Sequence, residues 1–249
     1  DNIKLFIEYG MLSDEKFCER GEKFALLKDT EGKYYSFDEY KEAVKDGQTD
    51  KDGKVVFLYA SDADKQYRSV EEAKALGYNV LLMDCELDSH FVGVLEQKIE
   101  GVRCARVDSD AASRLIPKGE EVKPEMSEDD AKALSELFKA VLPEGNEYQV
   151  EAANLGEDGA PVVIAQNEFM RRYRDMSALG GGLNFYGSLP ESYDIKVNME
   201  NPLIGRIWAD REGSADLLRQ VVDLALLGAG MLKGKALADF VARSEKLLK

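Results

Sequence analysis

From Lys54 to Val107 the chain alternates short apolar runs with helical segments, and this narrows the possible folds more than any other feature. Lys54–Ser61 encloses VVFLYA, Asn79–Asp84 encloses VLLM, and a third run covers Val102–Val107. None of the three alternates apolar with polar residues, which is the mark of parallel strands covered on both faces. Between them lie two helical stretches. Ser69–Leu76 has Ser69 as its cap, Glu72 at the capping-box position and Gly77 as its stop; Asp88–Glu100 is the other. The expectation is a small three-stranded β-α-β-α-β layer.

On the N-terminal side, residues 1–46 read as mostly helical. Phe17, Phe24 and Leu27 recur among charges, and Ser36-Phe-Asp-Glu39 is a capping box for a helix through Val44. Asp46–Gly53 is polar and glycine-bearing, a loop. Residues 116–130 hold two prolines and six carboxylates with little to bury, and read as a linker. A second unit follows. Ser127–Val141 is an amphipathic helix with Ala131, Leu134, Leu137, Phe138 and Val141 on one face. Glu147–Ala153 and Pro161–Ala165 are strands, expected to pair through a Gly156–Gly159 turn. Asn167–Leu179 is helical, residues 180–187 are glycine-rich, Asp194–Val197 is a strand, and helices start near Asn201, Ser214 and Gly234. The expected fold class is therefore mixed, α+β with an α/β layer. Its expected domains are 1–115 (helical 1–50, αβα layer 51–115), a linker at 116–130, and an α+β domain at 131–249 ending in a helical hairpin.

Composition removes several functions. Thirty-three Lys and Arg against forty-eight Asp and Glu leave a net charge of −15, which repels phosphate backbones and anionic lipid. Neither a nucleic acid nor a membrane is expected as a partner. Cys18, Cys85 and Cys104 are odd in number and form no CxxC pair, the usage of a reducing compartment. No signal peptide stands out, and the chain opens on Asp1 rather than Met. A cytoplasmic fragment with a cut N-terminus is the expectation.

The search for chemistry is largely negative. His90 is the one histidine, five residues from Cys85, and such nearness does not supply the geometry of a nucleophile pair. Gly228–Ala236 (GAGMLKGKA) fails as a phosphate loop: its glycine spacing is wrong, Ala follows Lys235, and no strand precedes it. A single His and scattered Cys cannot build a closed zinc site, so no metal is expected.

Two features suit contact better than catalysis. Leu217–Leu227 is apolar except for Arg219, Gln220 and Asp223, an arc too broad for one neighbouring element. The last helix supplies Leu237, Phe240, Val241, Leu247 and Leu248. Such a hairpin either packs wholly within its own chain or pairs with a second copy as a four-helix bundle. The other feature is a stripe of Phe169, Met170, Tyr173, Met176 and Leu179 opposite Arg171, Arg172, Arg174 and Asp175. It is either core or an adaptable apolar contact site.

Several segments together resemble a known family. Phe6–Tyr40 (FIEYGMLSDEKFCERGEKFALLKDTEGKYYSFDEY) resembles the helical part of the middle domain of heat shock protein 90 chaperones of the bacterial HtpG branch. Val55–Asp84 resembles that domain's small αβα subdomain. Asn198–Ile207 (NMENPLIGRI) and Leu224–Ser244 (LALLGAGMLKGKALADFVARS) resemble the C-terminal dimerisation domain. The resemblance implies an ATP-dependent chaperone of stress response and protein folding. This fragment would be a homodimer that binds partly unfolded client proteins, without catalytic residues or a cofactor of its own. ATP and Mg would bind an N-terminal domain outside the fragment. The resemblance places Leu217, Val221, Leu224, Leu227, Leu237, Phe240 and Val241 at or near the dimer interface. It places Phe169, Met170, Tyr173, Met176 and Leu179 on a client-contacting helix, with a further client contact at His90 beside Phe91. The rival reading is an enzyme on the αβα layer centred on Cys85.

Overall fold

The computed structural model describes residues 3–109, 126–166, 171–172 and 192–247. The chain divides into two units, residues 1–118 with 167–187, and residues 119–166 with 188–249.

The first unit is organised by β3 (Val55–Ala60), every residue of which is buried. It lies between β4 (Val80–Leu82) and β5 (Val102–Arg106) and runs parallel to both. Alternate side chains of a strand leave opposite faces, and here the two sets enter different cores. Val55, Phe57 and Tyr59 join Tyr40, Leu81, Phe91, Leu95 and Cys104. Val56, Leu58 and Ala60 join Val70, Ala73, Val80 and Ala105. The expected parallel layer is present. Helix α3 (Phe37–Val44) and α5 (Asp88–Lys98) supply the first core, and α4 (Tyr67–Ala75) the second.

Local signals set most of these boundaries. At α3 the Ser36 hydroxyl accepts the Glu39 N–H and the Glu39 carboxylate accepts the Ser36 N–H at 2.8 Å, the expected capping box. Helix α4 departs from expectation, starting at Tyr67 with Ser69 inside it and Glu72 paired with Arg68. The Gln66 side chain sets that start, since its carbonyl accepts the N–H groups of Ser61 and Asp62 and closes the turn out of β3.

The N-terminal stretch is less helical than expected. After α1 (Lys4–Ser13) and α2 (Glu15–Gly21) comes a short antiparallel pair, β1 (Leu27–Lys28) with β2 (Tyr34–Tyr35). Its organiser is the buried Asp29 carboxylate. One oxygen accepts the N–H groups of Glu31 and Lys33, and the other accepts the Tyr35 hydroxyl and the Asn79 amide. Burial alone would raise this carboxyl's pKa, but these donors, Asn79 foremost, hold it below the usual range.

In the second unit, β6 (Glu147–Ala153) and β7 (Val162–Gln166) do not form the expected hairpin. Strand β8 (Ser192–Asn198) lies between them, parallel to β6 and antiparallel to β7. The most buried strand takes the centre: Tyr193, Ile195 and Val197 are buried in β8. The Gly156–Gly159 turn instead straps the end of β8. Asn198, fully buried, accepts the Leu155 N–H and donates to the Gly156 carbonyl at 2.8 Å. Helix α6 (Glu128–Lys139), capped by Ser127, puts Leu134 and Phe138 into this unit's core. Residues 128–130 therefore belong to a helix. Three helices follow: α7 (Pro202–Ala209), capped by Asn201, α8 (Ala215–Gly228) and α9 (Gly234–Leu247).

Replacing Asn198 with Ala removes a buried side chain and both of its hydrogen bonds to the Leu155–Gly156 turn, which is itself partly exposed. We expect a loss of about 1–2 kcal/mol. Urea unfolding followed by fluorescence of Trp208, the one tryptophan, reads it out.

Candidate functional site

The α5 candidates sit on a helix whose start is fixed by charge. The Asp88 carboxylate, 2% exposed, accepts the Cys85 N–H and the Lys4 ammonium, each at 2.7 Å. One turn further along α1, Glu8 is 3% exposed, with the Lys4 ammonium 3.7 Å from its carboxylate and the Asp88 charge close by. Burial and then the Asp88 charge push the Glu8 pKa up to about 8, against the pull of Lys4.

His90 is half-buried, its Nδ1 3.4 Å from the Ser89 hydroxyl. Phe91, expected beside it as a contact residue, is 3% exposed and packs on Phe37 with ring centroids 6.2 Å apart. Phe91 therefore belongs to the core and offers no surface, because at this point of α5 it lies on the face turned to β3. Cys85 does not make a nucleophile. Burial first, then Glu8 and Asp88, push its thiol pKa up, so little thiolate forms at neutral pH.

Of the expected client-contact stripe, Phe169, Met170, Tyr173, Met176 and Leu179 lie outside the described residues. Their neighbours Arg171 and Arg172 are described, and they hold positions the sequence did not announce. Arg171 is 4% exposed and donates to the Tyr59 hydroxyl at 2.5 Å. Arg172 donates to both oxygens of Glu96, at 2.9 and 3.3 Å, and to the Cys104 carbonyl. Glu96 also accepts the Cys104 N–H at 2.8 Å. Arginine forks recognise carboxylates in this way, but no spacing rule links Arg172 to a residue 76 positions earlier.

The hairpin of α8 and α9 has two faces of different character. Inward, Leu218, Val221, Val222, Leu226 and Phe240 are buried in the unit's own core, with Leu217 and Leu237 partly buried against it. Of the seven expected interface residues, Val221 and Phe240 are thus interior. Outward, Leu224 is 54% exposed, Leu227 39% and Val241 45%. An Asp223–Arg243 ion pair and a Gln220–Ser244 hydrogen bond of 2.7 Å hold the helices together, and Gly230 makes the corner at φ +70°.

Among the described residues, no group of three or more His, Cys, Asp or Glu side chains is placed to hold a metal ion. Nor is any described helix long and apolar enough to cross a membrane.

Comparison with known proteins places the chain in a family. The whole chain aligns with the chaperone protein HtpG of Porphyromonas gingivalis, at 39% identity over 316 residues. It aligns over its full length with the HtpG chaperones of Bacteroides fragilis at 36% and Bacteroides thetaiotaomicron at 34%. The chain belongs to the HtpG family. No family model matches it. The chain spans 46% of the length of these HtpG relatives, so more than half of each lies outside the match. Within this HtpG chain, the Cys85-centred enzyme is the less favoured reading, on its thiol and on its relatives.

The Glu8 proton makes a pH prediction. A carboxyl raised from 4.5 to about 8 on folding contributes stability that is full below pH 4.5 and lost as pH rises through about 8. Glu8→Gln should remove up to about 1.4 kcal/mol of decline per pH unit from the wild-type stability curve between pH 5 and 8. Urea melts at pH 6, 7, 8 and 9 measure it; parallel curves for the two proteins would contradict the buried proton.

Proposed function

We propose that this chain is the dimerising and part of the client-holding portion of an HtpG-type chaperone, running from the end of the middle domain through the C-terminal domain. The observation that carries the reading is the outer face of the α8–α9 hairpin. Leu224, Leu227 and Val241 are exposed there, although the same two helices have a fully packed inner face. A second copy laid on that face would bury the exposed leucines as a four-helix bundle. Val221 and Phe240 would then support the interface from beneath, within each chain's own core.

Dimerisation is useful to such a chaperone because it makes the meeting of distant domains intramolecular, at a high effective concentration. Client holding rests on nonspecific burial of apolar surface, about 25 cal/mol per Å² before ordering costs. In this reading His90 on α5 contributes to the client surface, together with the stripe of Phe169, Met170, Tyr173, Met176 and Leu179. Partly unfolded proteins are the partners. ATP and Mg act elsewhere in the full protein, and this portion contributes no catalytic group.

The double variant Leu224→Asp/Leu227→Asp should sediment as a monomer with unchanged far-ultraviolet circular dichroism, since both side chains are solvent-exposed within one chain. A variant that still sediments as a dimer would remove the hairpin from the interface. The chain should also show no ATP hydrolysis above a protein-free control; clear turnover would contradict the assignment of ATP chemistry to another part of the protein.

A further inference from the structure

We infer that Arg171 and Arg172 are positioning residues for client binding: they fasten the chain at 171–172 to the parallel layer of the first unit, next to α5. The inference rests on the client-holding reading above and extends it to how the contact elements are held together.

Arg171 and Arg172, which follow β7 in sequence, group with the first unit and pack against its parallel layer. Arg171 is almost wholly buried, a costly place for a guanidinium, and is held by the Tyr59 hydroxyl and by the Tyr59 ring, 5.7 Å away. Arg172 closes on Glu96 and the Cys104 carbonyl. Glu96 already joins α5 to β5 through the Cys104 N–H, so one carboxylate ties α5, β5 and Arg172 at a single point. Both partly exposed members of that pair keep about a quarter of their side-chain surface in solvent, at 23% for Arg172 and 27% for Glu96. Such a pair is strong enough to hold and weak enough to open, and salt weakens it.

The placement has a consequence for function. In sequence, Arg171 and Arg172 fall between Met170 and Tyr173, inside the apolar stripe assigned to clients. Glu96 lies on the helix that carries His90. Fastening the two segments together in advance spares a client the entropy of bringing them together.

Trypsin tests the fastening directly, because it must draw an arginine side chain into its own pocket. In the intact chain, cleavage after Arg171 and Arg172 should be slow relative to cleavage after Lys65, whose side chain is 83% exposed. Tyr59→Phe/Glu96→Gln, which keeps both cleavage sites and nearly the same side-chain volumes, should speed cleavage after Arg171 and Arg172 at least five-fold. Cleavage after Lys65 should stay constant, which excludes general unfolding. Salt at 0.5 M should act in the same direction on the intact chain. Cleavage after the two arginines as fast as after Lys65 in the intact chain, or unchanged in the variant, would overturn the fastening.

The functional half is read with reduced α-lactalbumin as the unfolded probe. Its Kd should rise at least three-fold in the variant. Faster proteolysis with an unchanged Kd would reduce the pair to a structural tie and overturn its positioning role. Failure of the intact chain to bind α-lactalbumin at all would instead count against the client-holding reading, with the proteolysis result standing apart from it.

Discussion

The first unit depends on one constraint: β3 must be buried on both faces at once. Six consecutive apolar and aromatic residues, of which only Tyr59 carries a polar group, are costly to leave at a surface. The chain meets this by sending Val55, Phe57 and Tyr59 to one core and Val56, Leu58 and Ala60 to another. Everything around β3 follows from the need to cover it. Strands β4 and β5 satisfy its backbone on either edge, α4 covers one face, and α3 and α5 cover the other. The position of α5 then determines which of its residues reach solvent, and this is why Phe91 is core while His90 is half-exposed. Even the tyrosine at the far end of the strand is engaged, its hydroxyl receiving Arg171.

The second unit solves the burial problem incompletely. Strand β8 occupies the centre of its sheet, and α6, α7, α8 and α9 all contribute to one core. The terminal hairpin carries more apolar surface than that core can absorb, and the remainder is left outside as Leu224, Leu227 and Val241. In the function proposed above, this excess is surface shared between two copies. The polar ties across the hairpin, Asp223 with Arg243 and Gln220 with Ser244, fix the helices in register so that the outer residues present a defined face.

Much of this was legible in the residues. Apolar runs separated by helices specify a parallel layer because only double coverage tolerates them, and Ser36 with Glu39 or Asn201 before Pro202 specify helix starts within a residue. Pairing across distance was not legible in the same way. The glycines at 156 and 159 mark a turn correctly, but a turn does not decide whether its flanking strands pair with each other or around a third. That depended on β8, far downstream in sequence, entering between the two strands. The β1–β2 pair was hidden because Asp29 works through Asn79, fifty positions away. Glu8, Arg171 and Arg172 escaped for a related reason: a charged residue in sequence reads as solvated unless its partner is known.

In the proposed assembly the terminal hairpin of one chain is completed by that of another. Light scattering of the unmodified chain across a dilution series tests this. A mass near twice 27.7 kDa that persists on dilution is the predicted result. A mass of 27.7 kDa at every concentration would contradict it and leave the outer leucines of α8 as an ordinary exposed surface.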